Sequence, residues 1–370
     1  MLPSRSEHRG EGDLGSLKEK GKMSLLHYTA AAIQTALTNP LRRRDMARNT
    51  ARISELVELA VVGYKPFLPV KLLVFPEFAH AAPVYDSLKE LREKLGVEIP
   101  NAHTERLCER AREFGVYIQM GSMLEIDRKY PNALFNTSCL VGPEGLLYRY
   151  RKVYPWLPWE VHTSPHDIDG YEEELFPVAK TPIGNLGAAI CYDWLFPESL
   201  RQLTANGAEV LLRVSAYMDP FGATMPNDWW TVVNRCRALE NTAYVVAANQ
   251  GASLKDYPPF SWPGGSMIVD YDGRIVSQAT PGDGEKITVG VVDVELLREE
   301  RSQRSAHQML LHLRTEAHRM YQRSYFPPGE HGSRQDLGFD ENVERTRKVR
   351  KKVWPELEET GSKVSEEVDR

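Results

Sequence analysis

Short apolar runs alternate with longer amphipathic segments through most of this chain. The runs KLLVF at 71–75 and AYVVAA at 243–248 are typical of strands that are buried on both faces. Between 45 and 62 the spacing changes, because apolar residues recur there every three to four positions, which predicts a helix. A chain that changes repeatedly between these two periods predicts a layered α/β domain.

The same two patterns predict the other elements. Strands are predicted at 27–34, 117–124, 134–141, 147–151, 186–190, 210–214, 266–269, 275–278 and 287–292. Helices are predicted at 101–114, 197–206 and 227–240. Turn residues at 142–145 and 272–273 predict two hairpins. The aromatic and proline-rich segment 151–175 predicts a long loop, and such loops in compact domains are often functional.

Both ends of the chain depart from this regular pattern. Residues 1–24 are polar and rich in charge, which predicts a disordered extension, and Met23 is a candidate translation start. The regular pattern predicts one domain over 25–300. Residues 301–370 begin as a basic, helical stretch and become highly charged from 339, which predicts a partly disordered extension or one that contacts other subunits.

Composition excludes several classes of protein. The chain has 370 residues, of which 42% are hydrophobic and 26% charged, with a net charge of -5, so a nucleic-acid partner is not expected. No run approaches the roughly 18 apolar residues of a membrane span, and the first residues lack the apolar core of a secretory signal. The four cysteines are far apart, which argues against disulfides or a zinc cluster. We expect a cytoplasmic enzyme with free thiols and no bound metal.

Cys191 follows the predicted strand 186–190 and precedes a predicted helix. A thiol near a helix N-terminus can have a lowered pKa and an exposed sulfur. Position alone leaves two readings open, a nucleophile and a buried packing cysteine. None of the ten histidines is an obvious base for it. His162 and His166 are four residues apart and could share a metal, but their loop favours solvated side chains.

Three charged residues lie where apolar segments end. Glu77 follows VFP, where a carboxylate is costly unless it is paired or functional, and desolvation would raise its pKa toward that of a general base. Lys152 ends the basic run YRYRK and could stabilise a thiolate or an oxyanion. Glu160 lies in the aromatic segment PWLPWE. Each of the three also fits an ordinary surface charge.

Taken together, these segments resemble the nitrilase (carbon–nitrogen hydrolase) superfamily. LLVFPEF, YRKVYPW and GAAICYDWLFPES match the family's motifs in the family's order. NTSCLVGPEGLLYRYRK, NGAEVLLRVSAYMDP, NRCRALENTAYVVAANQG and GGSMIVDYDGRIV are similar to its intervening segments. The resemblance covers residues 25–300 and implies an α-β-β-α sandwich.

The resemblance also implies the chemistry. It assigns a catalytic triad to Glu77, Lys152 and Cys191, and a place beside the lysine or the substrate nitrogen to Glu160. Cys191 would attack an amide carbon while Glu77 takes its proton, and Lys152 and the Tyr192 N–H would hold the oxyanion. Water activated by Glu77 would then hydrolyse the thioester. No metal or organic cofactor is implied.

The substrate class is less narrowly indicated. Nitrile-cleaving members often carry Trp-Glu after the cysteine, whereas this chain has Tyr192-Asp193, which favours an amide. PWLPWE and LLRVSAYMDP resemble the aliphatic amidase and formamidase branch, although CYDWLFPES also resembles carbamoyl-amine hydrolases. We expect a linear, non-peptide amide as substrate. The alternatives are an N-carbamoyl amine or amino acid, a nitrile, acyl transfer to an amine, or a non-catalytic scaffold.

Aromatic residues near the motifs are candidates for the substrate pocket. We expect the lining to include Trp156, Trp159, Trp194, Tyr217 and Met218, although such residues also commonly fill cores. A pocket of this kind would favour an apolar or aromatic acyl group. The resemblance further implies a homodimer or larger homo-oligomer, in which residues 301–370 would wrap a neighbouring subunit.

Overall fold

Two β-sheets, packed face to face, form the centre of this protein in a computed structural model. The structure describes residues 24–218, 225–251, 262–280, 282–322, 324, 326 and 338–353. The predicted disordered extension, apart from residue 24, and the end of the charged tail at 354–370 lie outside the described residues.

The described elements follow the predicted order closely. The strands are β1 His27–Gln34, β2 Val70–Val74, β3 Tyr117–Gln119, β4 Met123–Asp127, β5 Tyr130–Gly142, β6 Gly145–Arg151, β7 Val178–Thr181, β8 Gly184–Ile190, β9 Val210–Ser215, β10 Tyr244–Asn249, β11 Met267–Val269, β12 Ile275–Gln278 and β13 Lys286–Asp293. The helices are α1 Met46–Gly63, α2 Leu88–Lys94, α3 Ala102–Phe114, α4 Pro197–Ala205, α5 Trp229–Asn241, α6 Val294–Gln303 and α7 Phe339–Val353. Among these, α2 and β7 were not predicted from the sequence, and α7 lies where the sequence predicts only a highly charged tail.

The strands form two sheets. One has the order β13-β1-β2-β3-β5-β4, with β6 paired to β5, and the other has the order β12-β11-β10-β9-β8-β7. Within the second sheet, β8, β9 and β10 are parallel neighbours, so their carboxyl ends lie at one edge. In α/β folds such an edge is where functional side chains tend to gather.

The alternation of side chains along β1 shows how the sheets and helices pack in layers. Tyr28, Ala30 and Ala32 belong to the core between the two sheets, whereas Ala31 and Ile33 belong to the core under α1 and α3. Alternate side chains of a strand point to opposite faces, so one strand serves both cores. Helices α4 and α5 cover the other sheet. The predicted α-β-β-α sandwich is confirmed.

The predicted strand 117–124 is two strands, β3 and β4. The chain passes so close to the segment after β2 that a Cβ at Gly121 would overlap the Ala79 Cβ and the Pro76 carbonyl oxygen. This close approach requires glycine and interrupts the strand. It also packs the break directly against the segment that carries Glu77. No described helix is long and apolar enough to cross a membrane.

Candidate active site

The three charged residues singled out by sequence meet in one buried cluster. The Lys152 Nζ atom lies 2.8 Å from Glu77 Oε1, and 2.9 and 2.7 Å from the two carboxylate oxygens of Glu160. All three side chains are buried. A cation between two carboxylates compensates much of the cost of burying these charges, so the cluster requires all three.

Glu77 follows β2 and is held by donors from several strands. Its Oε1 atom accepts from Asn136 Nδ2 at 2.9 Å as well as from Lys152, and its Oε2 atom accepts from the Ala216 N–H at 3.1 Å. The Gln250 side chain donates to the Glu77 carbonyl at 2.8 Å. Burial raises the pKa of Glu77 above its usual value, although Lys152 opposes the shift. A raised pKa suits a residue that must take and return a proton.

Glu160 carries the same side chain in a different environment. Its carboxylate accepts from the Trp156 N–H at 2.6 Å in addition to both bonds from Lys152. Burial would raise the pKa of Glu160, but the charge of Lys152 brings it below its usual value. Two carboxyl groups whose pKa values are driven apart can divide the roles of proton carrier and permanent anion.

Lys152 remains a cation in this site. Burial alone would lower the pKa of its ammonium, but the charges of Glu160 and Glu77 raise it above its usual value. The Lys152 backbone N–H also donates to the Asn136 carbonyl at 2.9 Å, which anchors the residue just beyond β6. A fixed ammonium of this kind can stabilise an oxyanion without reorganising during a reaction.

Cys191 lies at a sharp turn between β8 and a short 3-10 helix, Cys191–Leu195. Its φ angle is 45°, in the left-handed region that a non-glycine residue enters at a cost of roughly 1–3 kcal/mol. The Asp193 carboxylate ties the turn together, accepting from the Ile190 N–H at 2.8 Å, the Tyr154 N–H at 2.8 Å and the Tyr150 hydroxyl at 2.7 Å. These bonds hold the thiol at the cavity.

The Cys191 thiol is buried, which disfavours its thiolate form. Burial, reinforced by the charge of Glu77, raises its pKa to about 12. The possibility of a thiol pKa lowered by a helix N-terminus is therefore wrong, because only a five-residue 3-10 helix follows and desolvation dominates. Glu77 and Cys191 line the same cavity and each shifts the pKa of the other, so the Glu77 carboxylate is the base beside this thiol.

A cavity of about 540 Å³ opens onto the cluster. Glu77, Lys152, Glu160 and Cys191 contribute to its wall. Four of the predicted lining residues reach the cavity, namely Trp156, Trp159, Tyr217 and Met218. Tyr192, which was predicted to hold the oxyanion through its N–H, also lines it. The wall is thus mainly aromatic and apolar, with its polar groups gathered at the Cys191 end.

Trp194 does not line this cavity, which corrects the prediction. Its ring is fully buried, its Nε1 atom donates to the Ala189 carbonyl at 3.0 Å, and the Arg213 guanidinium lies 5.2 Å from its ring centre. The tight turn after Cys191 directs Trp194 into the core beneath the cavity. Sequence proximity to the nucleophile was therefore a poor guide to the direction of this side chain.

The structure also brings forward residues that sequence reasoning missed. Asn136 donates to Glu77, and Asp193 builds the turn that carries Cys191. Trp229 and Trp262 line the cavity. Asn136 could have been noticed as a polar residue within an apolar strand. Trp262 lies outside any stretch with helix or strand periodicity, so the sequence pattern does not indicate its position.

The two loop histidines do not behave as a metal pair. His162 is buried, burial lowers its pKa to about 4, and neither of its ring nitrogens hydrogen-bonds to a described residue. The His166 side chain is half-exposed and lies near Asp167. Across the described ranges, no group of three or more His, Cys, Asp or Glu side chains is arranged to hold a metal ion.

Comparison with known proteins places the chain in a family. The carbon–nitrogen hydrolase family matches residues 29–302, which is more than half of the chain. The chain belongs to this family. It is 28% identical over 281 residues to a formamidase from Helicobacter acinonychis, covering 74% of this chain and 76% of that protein. It is 29% identical over 275 residues to a formamidase from Bradyrhizobium diazoefficiens, covering 73% of each.

Solved structures share the fold. Nit3 from Saccharomyces cerevisiae, a member of branch 10 of the nitrilase superfamily, superposes with a TM-score of 0.62 at 25% identity, covering 76% of this chain and 96% of that one. An amidase from Nesterenkonia sp. AN1 superposes with a TM-score of 0.61 at 21% identity, covering 80% of this chain and 97% of that one.

Proposed function

We propose that this protein hydrolyses linear, non-peptide amides to a carboxylic acid and ammonia or an amine, through a thioester on Cys191. The observation that carries the proposal is the buried contact between the Glu77 carboxylate and the Lys152 ammonium, at the wall of the cavity that Cys191 also lines. A nucleophile, its base and an oxyanion donor at the wall of one cavity are the parts that acyl transfer requires.

The acylation step follows from these positions. Glu77 takes the proton from the Cys191 thiol as the sulfur forms a bond to the amide carbon. The negative charge that develops on the carbonyl oxygen is stabilised by Lys152 and by the backbone N–H of Tyr192. Glu77 then gives its proton to the amide nitrogen, the C–N bond breaks, and ammonia or an amine leaves.

Hydrolysis of the thioester reuses the same groups. Glu77 takes a proton from water, the resulting hydroxide attacks the thioester carbon, and the carboxylic acid leaves as the sulfur recovers a proton from Glu77. Glu160 remains ionised throughout, which keeps Lys152 charged and offers an acceptor to the substrate N–H. The opposed pKa shifts of Glu77 and Glu160 support this division of roles.

The relatives support an amide rather than a nitrile. The formamidases from Helicobacter acinonychis and Bradyrhizobium diazoefficiens are the kind of protein to which this chain is similar. In one structure of the Nesterenkonia amidase, the acetamide moiety of fluoroacetamide is covalently attached at the active-site cysteine. For the acyl side of the substrate we propose an apolar group, because aromatic and aliphatic side chains together form most of the wall of the 540 Å³ cavity.

We also propose that the protein works as a homodimer or larger homo-oligomer. The outer face of α5 supports this, because Trp229, Val232 and Leu239 are exposed there by 48%, 59% and 46%. Apolar side chains grouped on one exposed helix face are typical of an interaction surface.

A substrate panel tests the proposed reaction. Formamide, acetamide, longer aliphatic amides, benzamide, N-carbamoyl amines and nitriles are incubated with the full chain and with Cys191→Ala, and ammonia release is measured. We expect turnover of amides by the wild type and a loss of at least about 10³-fold in Cys191→Ala, since removing a nucleophile commonly costs that much or more. Intact mass should show an acyl adduct on the wild type alone.

Three other outcomes would redirect the proposal. Amide hydrolysis that survives in Cys191→Ala would exclude the thioester mechanism. Preferential turnover of N-carbamoyl amines would favour that alternative. If added hydroxylamine diverted nearly all product to the hydroxamate while free acid stayed negligible, the protein would be an acyl transferase.

A further inference from the structure

Helix α7 lies beyond the region that matches the family, which ends at residue 302. It is strongly charged, with the sequence FDENVERTRKVRKKV, and Asn342 is its one buried residue. A single buried polar residue on a charged helix marks the point at which that helix is attached, since buried amides are normally hydrogen-bonded. The hydrogen-bond partners of Asn342 therefore identify the part of the protein to which this helix is attached.

Those partners lie in the loop that carries Glu160. The Asn342 Nδ2 atom donates to the Pro158 carbonyl at 3.2 Å and to the Glu160 carbonyl at 3.0 Å. One side-chain amide thus holds two backbone carbonyl groups, one before Trp159 and one after it. The bond to Glu160 reaches the backbone of the same residue whose carboxylate contacts Lys152.

Contacts on both sides of Asn342 fix α7 to this loop. The Arg345 guanidinium makes a two-point contact with Asp167, at 2.8 Å to Oδ2 and 2.7 Å to Oδ1. The rings of Trp159 and Phe339 meet edge to face, with their centres 6.3 Å apart. Paired guanidinium–carboxylate bonds add orientation as well as energy, so the helix is held in one register.

We propose that Asn342 is a positioning residue for Glu160. It acts through the loop backbone, and the proposal rests on the proposed function only in that Glu160 serves the reaction. Glu160 lies between β6 and β7, where no sheet hydrogen bonds restrain its backbone. The Glu160 N–H donates to the Trp156 carbonyl at 3.0 Å, and Asn342 restrains the other end of the residue by holding its carbonyl. Together these bonds keep the carboxylate within hydrogen-bonding distance of Lys152. The residue does not line the cavity and is not itself catalytic.

Loss of the Asn342 amide has a definite structural consequence. In Asn342→Ala, two carbonyl groups lose their donor, and the Glu160 segment can move relative to Lys152. Displacements on the order of 1 Å at a catalytic group can cost roughly 10²-fold in rate. We expect kcat to fall by about 10- to 100-fold, with a smaller change in KM, because the cavity wall around the acyl group keeps its other supports.

A double-mutant cycle on the full chain tests this inference. Wild type, Asn342→Ala, Glu160→Gln and the double variant are compared for kcat on the best amide and for the rate of Cys191 alkylation by iodoacetamide, located by peptide mass. If Asn342 acts through Glu160, Asn342→Ala should lower either rate by less than about 3-fold in the Glu160→Gln background. Lys348→Ala, an exposed change on the same helix, is the control and should remain within about 2-fold of wild type.

The outcomes separate this inference from the proposed function. Equal losses from Asn342→Ala in both backgrounds, or no loss in either, would overturn the positioning role. A wild type that hydrolyses no amide would overturn the proposed function, while the alkylation cycle would still decide the role of Asn342. If Asn342→Ala does not fold, Arg345→Met enters the same cycle, because it loosens the same loop from Asp167, and the same two results decide.

Discussion

Lys152 is the residue that links the pKa values of the two carboxyl groups in the site. It lies between Glu77 and Glu160, and its charge opposes the effect of burial on both carboxyl groups. Glu77 nevertheless has a raised pKa, because burial and the charge of Glu160 outweigh Lys152, whereas Glu160 has a lowered pKa, because the charges of Lys152 and His162 outweigh its burial. Residues of one type therefore take different roles through their contacts alone.

A buried histidine beside this cluster should make stability depend on pH. Burial lowers the pKa of His162 to about 4, below the 6.5 of an exposed histidine, so the folded protein binds fewer protons than the unfolded chain between these values. Its contribution is complete above pH 6.5 and is lost as pH falls through 4. We expect His162 to lower the free energy of unfolding by up to about 1.4 kcal/mol per pH unit in that window.

Denaturant titrations at several pH values between 4 and 7 measure this dependence. The variant His162→Phe keeps an aromatic ring but cannot titrate. Its free energy of unfolding should therefore change less steeply with pH, by up to about 1.4 kcal/mol per pH unit. The exposed His312→Gln variant is the control and should retain the wild-type slope. An unchanged slope in His162→Phe would contradict the prediction.

At the scale of elements, the junction between β8 and the short helix after it carries the nucleophile. The positive φ angle of Cys191 is maintained because Asp193 gathers three donors from three chain segments. Backbone strain at a functional residue persists only where the surroundings determine it strongly. The strand, the turn and the loop after β6 are thus parts of one support.

Replacing that carboxylate by an amide should disturb the turn. In Asp193→Asn, the amide nitrogen would face at least one of the three donors, so a buried hydrogen bond is lost at a cost of about 1–3 kcal/mol in stability. We expect kcat to fall by roughly 10²-fold, because the thiol moves relative to Glu77 and Lys152. Amide turnover and thermal unfolding are measured together, with the exposed Asp169→Asn as control. A wild-type kcat in Asp193→Asn would show that the turn does not depend on this carboxylate.

At the scale of the whole molecule, two features are not explained by packing within the sandwich core. One is α7, which is attached through Asn342 to the loop carrying Glu160. The other is the apolar outer face of α5, where Trp229 both lines the cavity and is half-exposed. A second subunit on α5 would therefore border the cavity as well as stabilise the fold.

The proposed assembly can be measured directly. Light scattering coupled to gel filtration should give at least twice the chain mass of 42.0 kDa. Val232→Asp should shift the protein toward the monomer, because a charge at an apolar interface is costly to bury. Val62→Asp, at a similarly exposed valine on α1, is the control and should leave the mass unchanged. A monomeric wild type at working concentration would contradict the proposal.

The sequence by itself determined the elements and the order of the motifs. Hydrophobic period indicated most strands and helices to within a few residues, since burial on one or two faces imposes that spacing. The motifs around Glu77, Lys152 and Cys191 placed these residues at the ends of strands. Two of the elements it missed, α2 and β7, are short, and short elements carry too few periods to be recognised. It also missed the 15-residue α7, in which charged residues leave little hydrophobic period to detect.

Only the tertiary structure decided what these residues meet. Glu77 and Lys152 are 75 positions apart, and their 2.8 Å contact depends on how two strands align within a sheet. The direction of Trp194, the raised pKa of Cys191 and the attachment of Asn342 to the Glu160 loop depend equally on packing between distant segments. Periodicity reports which face of an element is buried, but it does not report what lies against that face.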